Sequence, residues 1–95
     1  MSFTHEITTV YASVNHQIHP SASAIPQYAQ GVTITVQNLS GGNYIYLGND
    51  NTSSVSYGFR LSPNQAISFD LNPFDNLHAI SNDGSTQVAI TRLYW

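Results

Sequence analysis

The chain has 95 residues, of which 41% are hydrophobic and only 7% charged, against roughly 25% in an average soluble domain. Arg60 and Arg92 are its only basic side chains besides histidine, and five acids bring the formal net charge to −3. That length holds one domain, the apolar content excludes a disordered chain, and the shortage of Lys and Arg excludes an ordinary phosphate-binding surface.

Residues 1–30 read as irregular, with Pro20, Pro26 and a Ser/Ala-rich stretch from Ser21 to Ala24. Within them Ile7 to Val14 has strand propensity, with Val10, Ala12 and Val14 in phase. This section reads either as an edge strand of the same domain or as an extended arm that adds a strand to a neighbouring subunit. Gly31 to Leu39 is the clearest strand, with Val32, Ile34 and Val36 alternating with Thr33, Thr35 and Gln37. Gly41-Gly42 then predicts a tight hairpin, with positive φ at the glycines, leading to a short strand over Tyr44–Leu47.

Gly48 to Ser54 is a polar loop, and Tyr57 to Leu61 leads into a proline turn at Ser62-Pro63-Asn64-Gln65. Ile67, Phe69 and Leu71 mark the next strand, which Asn72-Pro73-Phe74-Asp75-Asn76 interrupts. Leu77 to Ile80 and Gln87 to Leu93 follow, joined by an Asp83-Gly84 hairpin dipeptide. No helical period extends beyond about one turn. The expected fold is all-β: a small antiparallel β-sandwich or barrel over residues 31–95, with residues 1–30 as the extended N-terminal segment.

Few residues invite a chemical reading. His16 and His19 are three apart, but Pro20 argues against a helix, and in a strand they would point to opposite faces. They are expected to be polar surface or hydrogen-bonded loop residues, and no metal or cofactor is expected. Asp50 lacks the alternating acids and terminal glutamate of a calcium loop. Asp70 and Asp75 sit on a strand's polar phase and in a turn, as solvated acids do. No nucleophile elbow or phosphate-cradling glycine loop is present, so catalysis is not expected. The glycosylation sequons at Asn38 and Asn51 read as accidents of an Asn/Ser-rich chain. Absence of a signal peptide and of a membrane-spanning apolar run leads to the expectation of a soluble protein outside the secretory pathway.

The residues with most to offer a partner are aromatic. Aromatic rings with a polar tip favour interfaces, which singles out Tyr11, Tyr28, Tyr57, Tyr94 and Trp95 as interface candidates. Tyr94-Trp95 is expected either to close the domain's own core or to dock on another subunit.

The segment from Gly31 to Leu93 resembles a small β-domain of tailed-bacteriophage structural proteins. The resemblance rests on Val32 to Asn38, Ile45-Tyr46-Leu47-Gly48, the polar loop Asn49 to Ser54 and Tyr57-Gly58-Phe59. It continues through Leu61-Ser62-Pro63, Ile67 to Leu71, Leu77-His78-Ala79-Ile80, Gly84-Ser85-Thr86 and Val88 to Leu93. These are turns and alternations covering about two-thirds of the chain; residues 1–30 do not align to the pattern. The resemblance implies a class, the head-decoration, head-fibre and other minor virion proteins, and not a specific position. Together with the low charge, the all-β pattern and the aromatic C-terminus, it leads to the expectation of a capsid decoration (cement) protein, assembled in the host cytoplasm and bound to the major capsid protein as a homo-oligomer such as a trimer. The alternative expectation is a carbohydrate-binding or receptor-binding module on a phage fibre or tail.

Overall fold

The computed structural model describes residues 2–20 and 25–95; the Ser/Ala-rich stretch 21–24 lies outside the described residues. Eight strands run in chain order: β1 (Ser2–Tyr11), β2 (His16–His19), β3 (Val32–Asn38), β4 (Ile45–Gly48), β5 (Phe59–Leu61), β6 (Ala66–Leu71), β7 (Leu77–Ser81) and β8 (Ser85–Tyr94). No helix occurs among the described residues. The strands form two four-stranded antiparallel sheets, β1-β8-β3-β6 and β2-β7-β4-β5. The fold is therefore a β-sandwich, and its strand order is that of a jelly roll, two interlocked Greek keys.

Alternation decides what lies inside. In β3, Val32, Ile34, Val36 and Asn38 are buried while Thr33, Thr35 and Gln37 face out; in β8, Thr86, Val88, Ile90, Arg92 and Tyr94 are buried. Ile45, Leu47, Leu61, Leu77 and Ala79 answer from the second sheet, and Ile67, Phe69 and Leu71 pack against the same core from β6. Branched aliphatic side chains suit this pleated, half-buried geometry, and each fully buried one contributes about 1.5–3 kcal/mol of transfer free energy.

Only β4 and β5 are neighbours both in the chain and in a sheet; every other connection crosses between the layers. The hairpins expected at Gly41-Gly42 and at Asp83-Gly84 are thus corrected. β3 already has β6 and β8 as partners, so the chain after it must leave for the other sheet. Gly41 and Gly42 have no positive φ; among the described residues only Asn64 and Gly84 do. Asn38 secures the arch after β3. Its buried amide donates to the carbonyl oxygens of Asn43 (2.8 Å), Leu61 (3.2 Å) and Ser62 (3.2 Å), and its side-chain oxygen accepts from Ser40 N (2.9 Å). The turn at Ser62–Gln65 closes with Gln65 N donating to Ser62 O (3.0 Å), Asn64 supplying the left-handed residue at φ 64°.

Two strands of the N-terminal section, β1 and β2, belong to the two sheets. β1 pairs with β8 along ten residues, from Ser2 opposite Tyr94 to Tyr11 opposite Ser85, and forms the outer strand of the first sheet. β2 pairs with β7 and forms the outer strand of the second. Val10 and Ile18 from these two strands are fully part of the core.

Candidate functional site

The first sheet presents an outer face almost free of charge. Phe3, His5, Ile7, Thr9 and Tyr11 of β1 occupy its exposed phase, beside Gln87, Ala89, Thr91 and Leu93 of β8. Thr33, Thr35 and Gln37 of β3 and Ala66, Ser68 and Asp70 of β6 complete it. Asp70 is the one carboxylate there, and it accepts a hydrogen bond from Thr33 Oγ1 (2.6 Å). Thr35 Oγ1 and Ser68 Oγ are hydrogen-bonded to each other at 2.6 Å in the next row. Phe3 is 63% exposed and Ile7 64%, so large apolar groups stand in solvent on this face.

The interface candidates scatter over the sandwich. Tyr11 is half-exposed at one end of β1, about 30 Å along the strand from Ser2. Tyr28 is almost wholly exposed in the connection between β2 and β3 and, with Pro26, Tyr94 and Trp95, lines an apolar hollow near Ser2. Tyr94 turns out to be buried: it is the last inward position of β8, so its ring closes the protein's own core and only borders that hollow. Burial also raises its phenol pKa.

Trp95 is half-exposed yet tethered. It exchanges main-chain hydrogen bonds with Gly31 (2.9 and 3.0 Å), accepts another from Gln30 N (2.6 Å) and donates Nε1–H to Thr33 Oγ1 (3.2 Å). Its ring covers Gly31, where a Cβ would collide with it.

Tyr57 lies in the loop that joins β4 to β5 of the second sheet. Its ring lies 4.8 Å from that of Tyr46, centroid to centroid, tilted by 44°. Gly48, Asn49, Thr52, Ser56, Tyr57 and Gly58 line a polar hollow beside this pair. Next to it the Arg60 guanidinium sits 5.0 Å above the Tyr44 ring, a cation–π contact.

A polar cluster inside the sandwich was not foreseen from sequence. Arg92, 1% exposed, projects inward from β8, donates from Nη1 to Glu6 Oε1 on β1 (2.8 Å), and donates from Nη2 to the Ile18 carbonyl on β2. Its Nε–H meets His19 Nδ1 at 2.9 Å, and His19 Nε2 donates to the Pro73 carbonyl at 2.9 Å. Arginine can only donate and a carbonyl can only accept, so His19 is neutral with its proton on Nε2. Burial lowers the imidazole pKa, and the Arg92 charge lowers it further.

The expectation that His19 is a surface or loop residue is therefore corrected. β2 is a strand, and its register shifts between Gln17 and His19, which brings Ile18 and His19 inward in succession. The available signal was Arg92 itself, in phase with Val88 and Ile90 on an otherwise apolar strand face.

Asp75 Oδ2 accepts from Asn72 N (3.0 Å) and caps its own turn, while Asp50 carries its backbone oxygen to Asn15 Nδ2 (2.8 Å). Among the described residues no three His, Asp or Glu side chains converge in a metal-binding group. Asn38 is buried, so its sequon offers no acceptor for a glycan. No helix among the described residues is long and apolar enough to cross a membrane. No known family's sequence profile matches the chain, and no curated protein matches it significantly.

Proposed function

We propose that the chain is a virion structural protein of a bacteriophage, a capsid decoration protein that binds the major capsid protein as a homo-oligomer and catalyses nothing. The observation that carries this reading is the charge-poor outer face of the first sheet. Interface centres are depleted of charged side chains and enriched in aromatic ones, and here Phe3, Ile7 and Tyr11 stand exposed among threonines with Asp70 as the one acid. The hollow between Tyr28 and Trp95 adds a second aromatic surface. The jelly-roll strand order is compatible, as a fold-level analogy, because that architecture serves viral capsid and lectin domains among others. Repeated copies on a lattice would add avidity to modest single contacts. Mass spectrometry of purified particles tests the proposal: the protein is expected at high copy number, and its absence from virions would refute it.

A second reading is favoured by the Tyr46–Tyr57 pair beside the polar hollow at Asn49, Thr52 and Ser56. Aromatic rings next to amide and hydroxyl groups are the components of a sugar-binding site on a fibre or tail. Glycan-array binding that vanishes in Tyr57→Ala would select this reading, and binding to no glycan would remove it.

A further inference from the structure

β1 has one open side. No described strand pairs with its outer edge, and its hydrogen-bonding phase can be worked out. Ala12 N donates to Gly84 O (2.9 Å), extending the β1–β8 register by one pair. In an antiparallel ladder, alternate residues face the same neighbour. Ser2, Thr4, Glu6, Thr8 and Val10 therefore exchange main-chain bonds with β8. The N–H and C=O groups of Phe3, His5, Ile7, Thr9 and Tyr11 are left on the open edge. β8 agrees from its other side: Leu39 N donates to Gln87 O (3.0 Å), so the odd-numbered residues of β8 serve β3.

Edges of monomeric sheets are ordinarily blunted by shortness, bulges, proline or charge. The other three edges here conform. β2 has four residues and an irregular register, β5 has three residues, and β6 has six with Asp70 on its exposed phase, ending before Pro73. β1 does not conform. It runs ten residues without proline or lysine, and its one acid, Glu6, points inward and is neutralised by Arg92.

We infer that β1 is a homodimerisation edge: two copies pair β1 with β1 antiparallel about a two-fold axis at Ile7, joining their first sheets into one eight-stranded sheet. The strand is complementary to itself in that register. Ile7 lies opposite Ile7 of the second copy, Phe3 opposite Tyr11, and His5 opposite Thr9, so both large exposed apolar pairs meet on the outer face. No like charges are opposed, since Glu6 falls opposite Thr8 on the inner face. The five edge residues of each strand supply on the order of ten main-chain hydrogen bonds, about the number in a typical protein interface. An isologous contact of this kind requires each pair to appear twice, and this one does. The inference is independent of the virion reading and would stand for a fibre module as well.

The test uses the full chain, which contains no cysteine. Light scattering from about 1 μM to about 1 mM should give twice the chain mass, and Ile7→Lys, which sets two ammonium groups face to face on the axis, should give the monomer mass with unchanged circular dichroism. Under mild oxidation Ile7→Cys should form a covalent dimer, because Cα atoms of a hydrogen-bonded antiparallel pair lie about 5.5 Å apart, within disulfide reach. Val55→Cys, at a position 90% exposed on a loop, should not. A wild-type chain that stays monomeric throughout, an oligomer that survives Ile7→Lys, or equal crosslinking at residues 7 and 55 would each overturn the inference.

Discussion

Arg92 is the residue on which the two sheets converge. Its guanidinium is nearly inaccessible and reaches β1 through Glu6 and β2 through Ile18 and His19, so one side chain on a central strand holds the outer strands of both layers. Arg92→Met keeps the volume but leaves the Glu6 carboxylate, the Ile18 carbonyl and the imidazole without a donor. Urea unfolding should show a loss of about 3 kcal/mol. Glu6→Gln retains an oxygen acceptor near the surface and should cost about 1 kcal/mol. His19 supplies a pH dependence whose sign is fixed by its environment. Its folded pKa is depressed below 6.5, so the unfolded chain takes up this proton first as pH falls. Stability should be full above pH 6.5 and decline below it, by at most about 1.4 kcal/mol per pH unit for this one group, until the folded imidazole also titrates. His19→Asn offers an oxygen near the position of Nδ1 and cannot titrate. Its unfolding midpoint should be lower at neutral pH but flatter between pH 6.5 and the folded pKa.

At the scale of strands, the sequence was most informative where one face alone is buried. β3, β6 and β8 were legible because apolar side chains recur at every second position on the inner phase, and β7 because the short run Leu77–Ile80 stands between turn signals. β2 escaped notice because His-Gln-Ile-His is short and carries a register irregularity that breaks the period. β1 was only half legible: its inner phase includes Ser2, Thr4, Glu6 and Thr8, a polar series that alternation cannot tell from a solvated face. Strand partners were not legible at all. Gly41-Gly42 and Asp83-Gly84 look like hairpin turns locally, yet the flanking strands belong to different sheets, and only the long-range pairing decides that. The polar cluster was hidden for the same reason, since Glu6, His19 and Arg92 meet only once both sheets are assembled. The closure between Gly31 and Trp95 belongs to this scale too. Gly31→Ala should push the indole off its seat, lowering stability by about 1–3 kcal/mol and red-shifting the fluorescence of the single tryptophan.

For the whole molecule, the two outer strands near the start of the chain are structural members of the sandwich. Deleting residues 1–19 removes Val10 and Ile18 from the core, strips Arg92 of Glu6 and His19, and uncovers β8 and β7. The truncated chain should therefore fail to give a cooperative thermal transition, as circular dichroism would record. The position of β8 has a kinetic consequence as well. It is the last of the eight strands to be synthesised, yet it lies between β1, the first, and β3. A nascent chain must carry β1 unpaired while all the intervening strands are made, with Phe3, Ile7 and Tyr11 in solvent, and the first sheet can assemble only when β8 slots between its neighbours. Contacts of such long sequence separation make folding slow. Throughout that delay two growing chains on one messenger RNA present the same unpaired strand to each other.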